Sequence, residues 1–335
     1  MIPSPGVRHP RRWRLRHNPV AGALHDTSFP PLVQRLLENR GVATVSQARA
    51  FFDGKPDGDD FALPDVEKAV ARLRQASLTG EAVAVFGDFD VDGVTSVALL
   101  TEGLQSLGAQ VIPYIPDRFG EGYGLNSPAI SRLREQGATL LLAVDCGTSS
   151  LDEVAHARSL GMDTVIIDHH LPLSELPAAL AIVNPKLASP PDAAVDCAAA
   201  GLAYHVLQAL FDSLRRPFQE ERFLDLAALG TVVDMAPVVG PNRMLVRRGL
   251  DAIARTERPG LQALLAASGV QGSVDTETLS FMLGPRLNAA GRIAHARLSL
   301  DLLLCDEPDA ARQMAQQLSA LNRERQRQTA AAVEL

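Results

Sequence analysis

The stretch Ala82-Val-Ala-Val-Phe-Gly87-Asp88-Phe89-Asp90-Val91-Asp92-Gly93 passes from an apolar run straight into three alternating aspartates. An apolar run without polar alternation reads as a strand buried on both faces. Outward from it, Val66–Gln75 precedes the strand with a helical pattern and Val94–Leu107 follows it with another. The alternation then continues through strand Val111–Ile115, helix Pro128–Gln136, strand Thr139–Asp145, helix Leu151–Leu160, strand Thr164–Asp168 and a short strand Ala181–Asn184. Apolar strands separated by short helices predict an α/β fold, a parallel sheet flanked by helices. In such sheets, ligands collect beyond the carboxyl ends of the strands.

After Ala198 the strand signals stop and the remainder reads as helices joined by Gly and Pro turns. Pro308–Leu335 reads as one long helix, with Ala311, Met314, Leu318 and Leu321 along one stripe and no C-cap glycine at its end. The expected organisation is a partly irregular lead-in over 1–60 and a catalytic domain over 61–305, α/β to about residue 197 and helical after it. Residues 306–335 would begin a long connecting helix, with a second lobe absent. In the lead-in, Arg8, Arg11, Arg12, Arg14 and Arg16 surround Trp13, and Asp53–Asp60 reads as a loop. A solvated tail is the first reading of that arginine run, and an arm on a phosphate backbone the second.

Hydrophobic residues make up 46% of the 335-residue chain and aromatics 4%, so the interior must be built from Leu, Val, Ala and Ile. The longest apolar runs, such as Thr139–Val144, are far shorter than a membrane span, and the N-terminus has no signal-peptide core. Cys146, Cys197 and Cys305 are too scattered for a disulfide framework or a zinc cluster, and a cytoplasmic protein is expected. The net charge of −7 argues against a generic cationic DNA-binder. Carboxylates gathered at a metal site also lower the formal charge, and bound ions restore it locally.

Three expected strands end in acid: at Asp88-Phe-Asp90-Val-Asp92, at Asp145-Cys146-Gly147 and at Asp168-His169-His170. A fourth acid, Asp234, stands in the apolar stretch Gly230-Thr-Val-Val-Asp234. In a parallel sheet the first three groups converge on one edge. Buried carboxylates without compensation are costly, so the pattern calls for cations. Oxygen ligands with few histidines suit Mn2+ or Mg2+, and the acids are numerous enough for two ions. Two ions about 3.5–4 Å apart are a known arrangement for phosphoryl hydrolysis.

Each feature also has an ordinary structural reading. Asp88–Gly93 matches the start of a calcium-binding loop, but the twelfth position is Leu99 instead of glutamate. A strand-end acid can simply cap the next helix. Cys146 is read as a small buried filler in preference to a thiolate ligand. His156, His205 and His295 are read as structural. Thr148, Ser149 and Ser150 cap the helix at Leu151 in the preferred reading, or donate to phosphate in the other.

Together with Asp145, five ordered blocks are similar to the DHH phosphoesterase superfamily and, within it, to RecJ-like single-stranded-DNA-specific exonucleases. They are Gly87–Ser96, Arg118-Phe-Gly-Glu-Gly-Tyr-Gly-Leu125, Asp168-His-His-Leu-Pro172, Gly230–Asp234 and Gly284-Pro-Arg-Leu-Asn-Ala-Ala-Gly-Arg292. The resemblance implies a metal-dependent exonuclease, 5′-to-3′, serving DNA repair and recombination. It implies that Asp90, Asp92, Asp145, His169 and Asp234 ligate metal, with Asp145 as the bridge and Asp88 completing a shell or orienting water. His170 would touch phosphate, while Arg118, Arg286, Asn288 and Arg292 hold the substrate. The ordinary reading of Gly284–Arg292 is a helix-to-helix turn. Tyr114, Phe119 and Tyr123 are the plausible base stackers. Single-stranded DNA is the expected partner, with a single-strand-binding protein or a helicase beside it. Where the family is expected to carry a polar amide, this chain has Cys146. Two alternatives are a DHH phosphoesterase acting on short oligonucleotides or cyclic dinucleotides, and a non-catalytic RecJ-related scaffold.

Overall fold

The structure is a computed structural model that describes residue 24 and residues 29–53, 63–189 and 196–333. The arginine-rich stretch around Trp13 and the loop beyond Asp53 lie outside those residues. Residues 1–57 and 58–335 are two compact units. In the first, α1 (Pro31–Glu38) and α2 (Val45–Asp53) bury Leu37 and Ala48 together with Leu24.

The second unit begins with α3 (Val66–Thr79), β1 (Ala82–Gly87), α4 (Val91–Ser106), β2 (Gln110–Tyr114), α5 (Ser127–Glu135) and β3 (Leu140–Val144). It continues with α6 (Leu151–Ser159), β4 (Asp163–Ile167) and β5 (Ala181–Val183). The helical part comprises α7 (Ala199–Ser213), α8 (Glu220–Val233), α9 (Gly240–Ala254), α10 (Pro259–Ala267), α11 (Gly284–Ile293), α12 (Arg297–Leu303) and α13 (Pro308–Val333).

All five strands are parallel, in the order β2-β1-β3-β4-β5. Alternate residues feed opposite faces. Val83 and Val85 join Leu73, Val97 and Leu207 from α3, α4 and α7, whereas Ala84 and Phe86 join Ile130, Leu133 and Val154 from α5 and α6. Burial on both faces explains the strands' unalternating apolar sequences. Pro113, which has no N–H to give, is tolerated because β2 lies at the sheet edge. The order reverses between β1 and β3, and a crevice forms beyond the carboxyl ends of strands at such a point.

Several boundaries shift from the sequence expectation, and two segments show the local reason. Helix α4 starts at Val91 instead of Val94, because the Asp90 carboxylate accepts from the Asp92 and Gly93 N–H groups at 2.9 and 3.2 Å. Asp92 is thereby drawn into the first turn of a helix that is buried almost all round. The Gly284–Arg292 block is no turn but helix α11 itself, preceded by a π-helical turn over Thr278–Leu283. Helix α13 packs along α10 and α11.

Close approach of α4 to its own leading loop depends on Gly93. A Cβ there would stand 2.4–2.7 Å from the Asp88 backbone, which cannot yield as a flexible side chain would. Gly93→Ala is therefore expected to destabilise the chain by about 1–3 kcal/mol in urea unfolding. Unchanged stability would show that the loop relaxes freely.

Candidate active site

Three strand ends and one helix end meet beyond the sheet. β1 delivers Asp88, and the cap and first turn of α4 deliver Asp90 and Asp92. β3 ends in Asp145, β4 leads into Asp168-His169-His170, and Asp234 stands at the end of α8. Asp145 adopts a left-handed backbone, φ +60°, and Gly147 follows at φ +107°, so the chain leaves the strand in one sharp turn. Such a φ is uncommon for a residue with a side chain and is concentrated at functional sites.

His169 is the hub. Its Nε2 lies 3.2 Å from Asp145 Oδ1 and 3.8 Å from Asp92 Oδ2, and its Nδ1 lies 3.9 Å from Asp234 Oδ2. Ligand atoms of Asp88, Asp90 and Asp145 lie within 4.8 Å of one another, as do those of Asp92, His169 and Asp234. The six residues expected to ligate metal therefore form two adjoining groups, with Asp145 in one and 3.2 Å from the imidazole of the other. Asp145 also groups with His169 and His170.

The electrostatics require a counter-charge. Burial, reinforced by Asp234 and Asp90, pushes the Asp92 carboxyl well above its ordinary range; burial with Asp92 and Asp90 does the same to Asp145. Asp88 is pushed up to about 7, first by burial, and Asp234 to about 6 by burial and then Asp90. Burial and then His170 push the His169 imidazole down to about 4, which keeps it neutral and fit to ligate. Asp88 Oδ1 is buried with no hydrogen-bond partner. A buried carboxylate oxygen without a donor, beside four further acids and a neutral imidazole, fits hard divalent cations.

Asp92 is held from behind. Its two oxygens accept the Ala199 and Ala200 N–H groups, at 2.7 and 2.9 Å, at the start of α7. Asp168, by contrast, faces the protein. It accepts from the N–H groups of Thr148, His169 and His170 at 3.0, 2.8 and 3.2 Å, and lies 2.7 Å from His170 Nδ1. Burial would raise its carboxyl, but the bonds from His170 and Thr148 win and hold it below the ordinary range. That same pairing raises the His170 imidazole. Asp168 is thus the orienting residue of the motif, a role its place in Asp168-His169-His170 signals without specifying.

A cavity of about 230 Å³ beside the acids is lined by Asp90, Asp234, Phe89, Arg118, Asn288 and Arg292, among others. The Arg118 guanidinium carbon sits 5.0 Å from the Phe89 ring centroid. Its loop is fastened by Glu121, which accepts from Tyr114 Oη and the Asp117 N–H and pairs with Arg132. Asn288 Oδ1 accepts from the Val91 N–H at 3.2 Å, pinning α11 to the start of α4. Arg286 does not line this cavity: its Nη1 donates to Met282 O at 2.6 Å and its Nε to Ser319 of α13 at 3.2 Å. Tyr114 is no stacker either, since its ring packs on Phe86 and its hydroxyl is bound to Glu121; Phe119 and Tyr123 are exposed. Cys146 is buried in the apolar cluster beneath the sheet's second face. No side chain of Ser150 caps α6, although Ser150 stands at the cap position.

A family model described as "DHH family, N-terminal domain" matches residues 82–231. The chain is 38% identical over 322 residues to the single-stranded-DNA-specific exonuclease RecJ of Bacillus subtilis, covering 94% of this chain and 40% of that protein. With the Escherichia coli protein of the same description it is 40% identical over 310 residues, covering 89% and 53%. A crystal structure of exonuclease RecJ bound to manganese matches with a TM-score of 0.77 at 35% identity, covering 82% of this chain and 69% of that one. The chain belongs to the RecJ family. The structure of RecJ in complex with Mn2+ from Thermus thermophilus matches at a TM-score of 0.79 and 31% identity, covering 91% of this chain and 43% of that one. This RecJ-family chain spans between 40% and 57% of the length of six curated RecJ relatives. Among its described residues no helix is long and apolar enough to cross a membrane.

Protons and cations compete for the raised carboxyls, because a ligand must lose its proton to bind metal. With Asp88 at about 7 and Asp234 at about 6, both carry more protons at pH 6 than at pH 8. Titration calorimetry with Mn2+ is expected to show affinity at least about tenfold lower at pH 6 than at pH 8. Equal affinity at the two pH values would contradict the shared burial of these acids.

Proposed function

We propose that this chain carries the catalytic site of a metal-dependent exonuclease that hydrolyses phosphodiester bonds in single-stranded DNA, 5′-to-3′, in DNA repair and recombination. The observation that carries the reading is the His169 hub among Asp92, Asp145 and Asp234, beside the partnerless buried oxygen of Asp88. Asp88, Asp90, Asp92, Asp145, His169 and Asp234 would hold two divalent cations, Mn2+ or Mg2+, with Asp145 as the residue that could be shared. When bound, the cations supply charge neutralisation and Lewis acidity at a phosphoryl oxygen.

The chain's own groups do the rest. Because Asp168 takes His170 Nδ1, the opposite nitrogen, Nε2, is left toward Tyr123 Oη at 3.2 Å and toward solvent. The raised imidazole favours the cation, whose Nε2–H is a charge-assisted donor for a phosphoryl oxygen. Arg118 and Arg292 grip strand phosphates as bidentate forks, and the Asn288 amide adds a donor. Arg286 serves the seating of α13 instead. Residues 1–60 form a lead-in, 61–305 the catalytic domain, and 306–335 contain the long helix α13. A single-strand-binding protein or a helicase supplies the strand, in the cytoplasm.

The complete ligand set favours the enzyme over a non-catalytic scaffold. The paired Arg118 and Arg292 favour a polymeric strand over a small cyclic substrate. End-labelled digestion with Mn2+ separates the roles. His169→Ala is expected to lose metal affinity, whereas His170→Ala keeps the metal and lowers turnover by about 10²–10³-fold, the usual loss for one transition-state donor. Equal loss of metal in both variants would contradict the division, and release of internal fragments would contradict an exonuclease.

A further inference from the structure

A second cavity, of about 670 Å³, opens beside the same cluster and shares no lining residue with the first. Its wall includes Tyr123, Ser149, Ser150, His170 and Lys186, with one glutamate, Glu153. Between the two cavities stand Phe89 and Tyr123, one from each lining, their rings packed edge to face at 6.2 Å. Among the described residues the Lys186 ammonium enters no ion pair. It is nevertheless close enough for its charge to act on His169, His170 and Asp234.

This wall is built, not incidental. Asn184 is fully buried and ties three segments together. Its amide donates to Thr148 Oγ1 at 3.1 Å and to His170 O at 2.9 Å, and its carbonyl accepts from the Lys186 N–H at 2.9 Å. Buried and fully engaged, such a network fixes the loops that it joins. The base of Lys186 is thus locked to the turn after β3 and to the motif after β4, while its ammonium is left unpaired.

Charge gives the wall a purpose. Five carboxylates face the cluster, and two divalent cations would leave the centre close to neutral, with little attraction left for a polyanion. A strand crossing the centre then needs cations on its path. Arg118 and Arg292 stand in the first cavity; the second has Lys186, the serine hydroxyls and His170. We propose that Lys186 grips a backbone phosphate adjacent to the scissile one, so that the second cavity forms part of the strand's track and the strand lies across the centre between two cationic holds.

This inference rests on the single-strand nuclease reading, and the test keeps the two apart. Binding of a short 3′-labelled oligothymidylate by the whole chain is followed by fluorescence anisotropy over a range of KCl concentrations. Calcium replaces manganese, so that the carboxylates are occupied without turnover being required. Each phosphate contact to a single strand contributes about 0.7 to the slope of log affinity against log salt. K186A and the near-isosteric K186Q are expected to flatten the slope by about 0.7 and to weaken binding several-fold at low salt. K186R is expected to restore the slope, which a merely structural role for the side chain would not produce. Wild-type slope in K186A and K186Q overturns the assignment of Lys186 while leaving the nuclease reading intact. A wild-type chain that binds no single strand at any salt concentration overturns both.

Discussion

The Asp92 carboxylate is buried where the α/β part meets the helical part, and both of its oxygens receive amides from the first turn of α7. On the other side, Gly230 of α8 lies so close that a Cβ would stand 2.8 Å from Asp92 Oδ1 and 2.5 Å from Thr95 Oγ1. One carboxylate thus joins α4, α7 and α8. Helix α8 ends in Asp234, so the packing that seats Asp92 also carries Asp234 to the strand ends. Without this joint the segment that carries Asp234 would have no fixed place beside the strand-end acids.

That arrangement has an electrostatic cost, which the fold concentrates instead of spreading. Raised carboxyls at Asp88, Asp92, Asp145 and Asp234 show that the folded chain brings together more negative charge than burial tolerates. The neighbouring Asp168 is settled by hydrogen bonds, from three backbone amides and beside His170, and Asp90 is steadied by the two amides it caps. Of the raised carboxyls, Asp88, Asp92 and Asp145 are buried, whereas Asp234 lines the first cavity. Metal binding and stability are therefore linked in this chain, because cations relieve in the folded state a repulsion that the unfolded chain does not have.

Much of this was legible in the sequence. Strands buried on both faces betray themselves by apolar runs, so the acids that end them could be placed on one edge before any coordinates. Asp234 was harder, since it lies on a helix and reaches the centre only through the α4–α7–α8 joint. The direction of side chains along α11 was not legible, because Gly284-Pro285 suits a turn as well as the first turn of a helix. On a helix, Asn288 and Arg292 are four residues apart and share a face, while Arg286, two residues before Asn288, points elsewhere. Lys186 was missed because Asn184-Pro-Lys186 looks like an ordinary turn. Only the pairing of β5 with β4 and the bonds of Asn184 bring that turn to His170.

The central claim is that two adjoining groups of acids, joined through Asp145 and His169, form one binuclear centre. Electron paramagnetic resonance of the Mn2+-loaded chain, with the bound ions counted, tests it most directly. The account predicts two ions per chain with an exchange-coupled spectrum, which decays to that of an isolated ion when Asp145 is replaced by alanine. A single uncoupled ion in the wild-type chain, or a coupled pair that persists in Asp145→Ala, would contradict it.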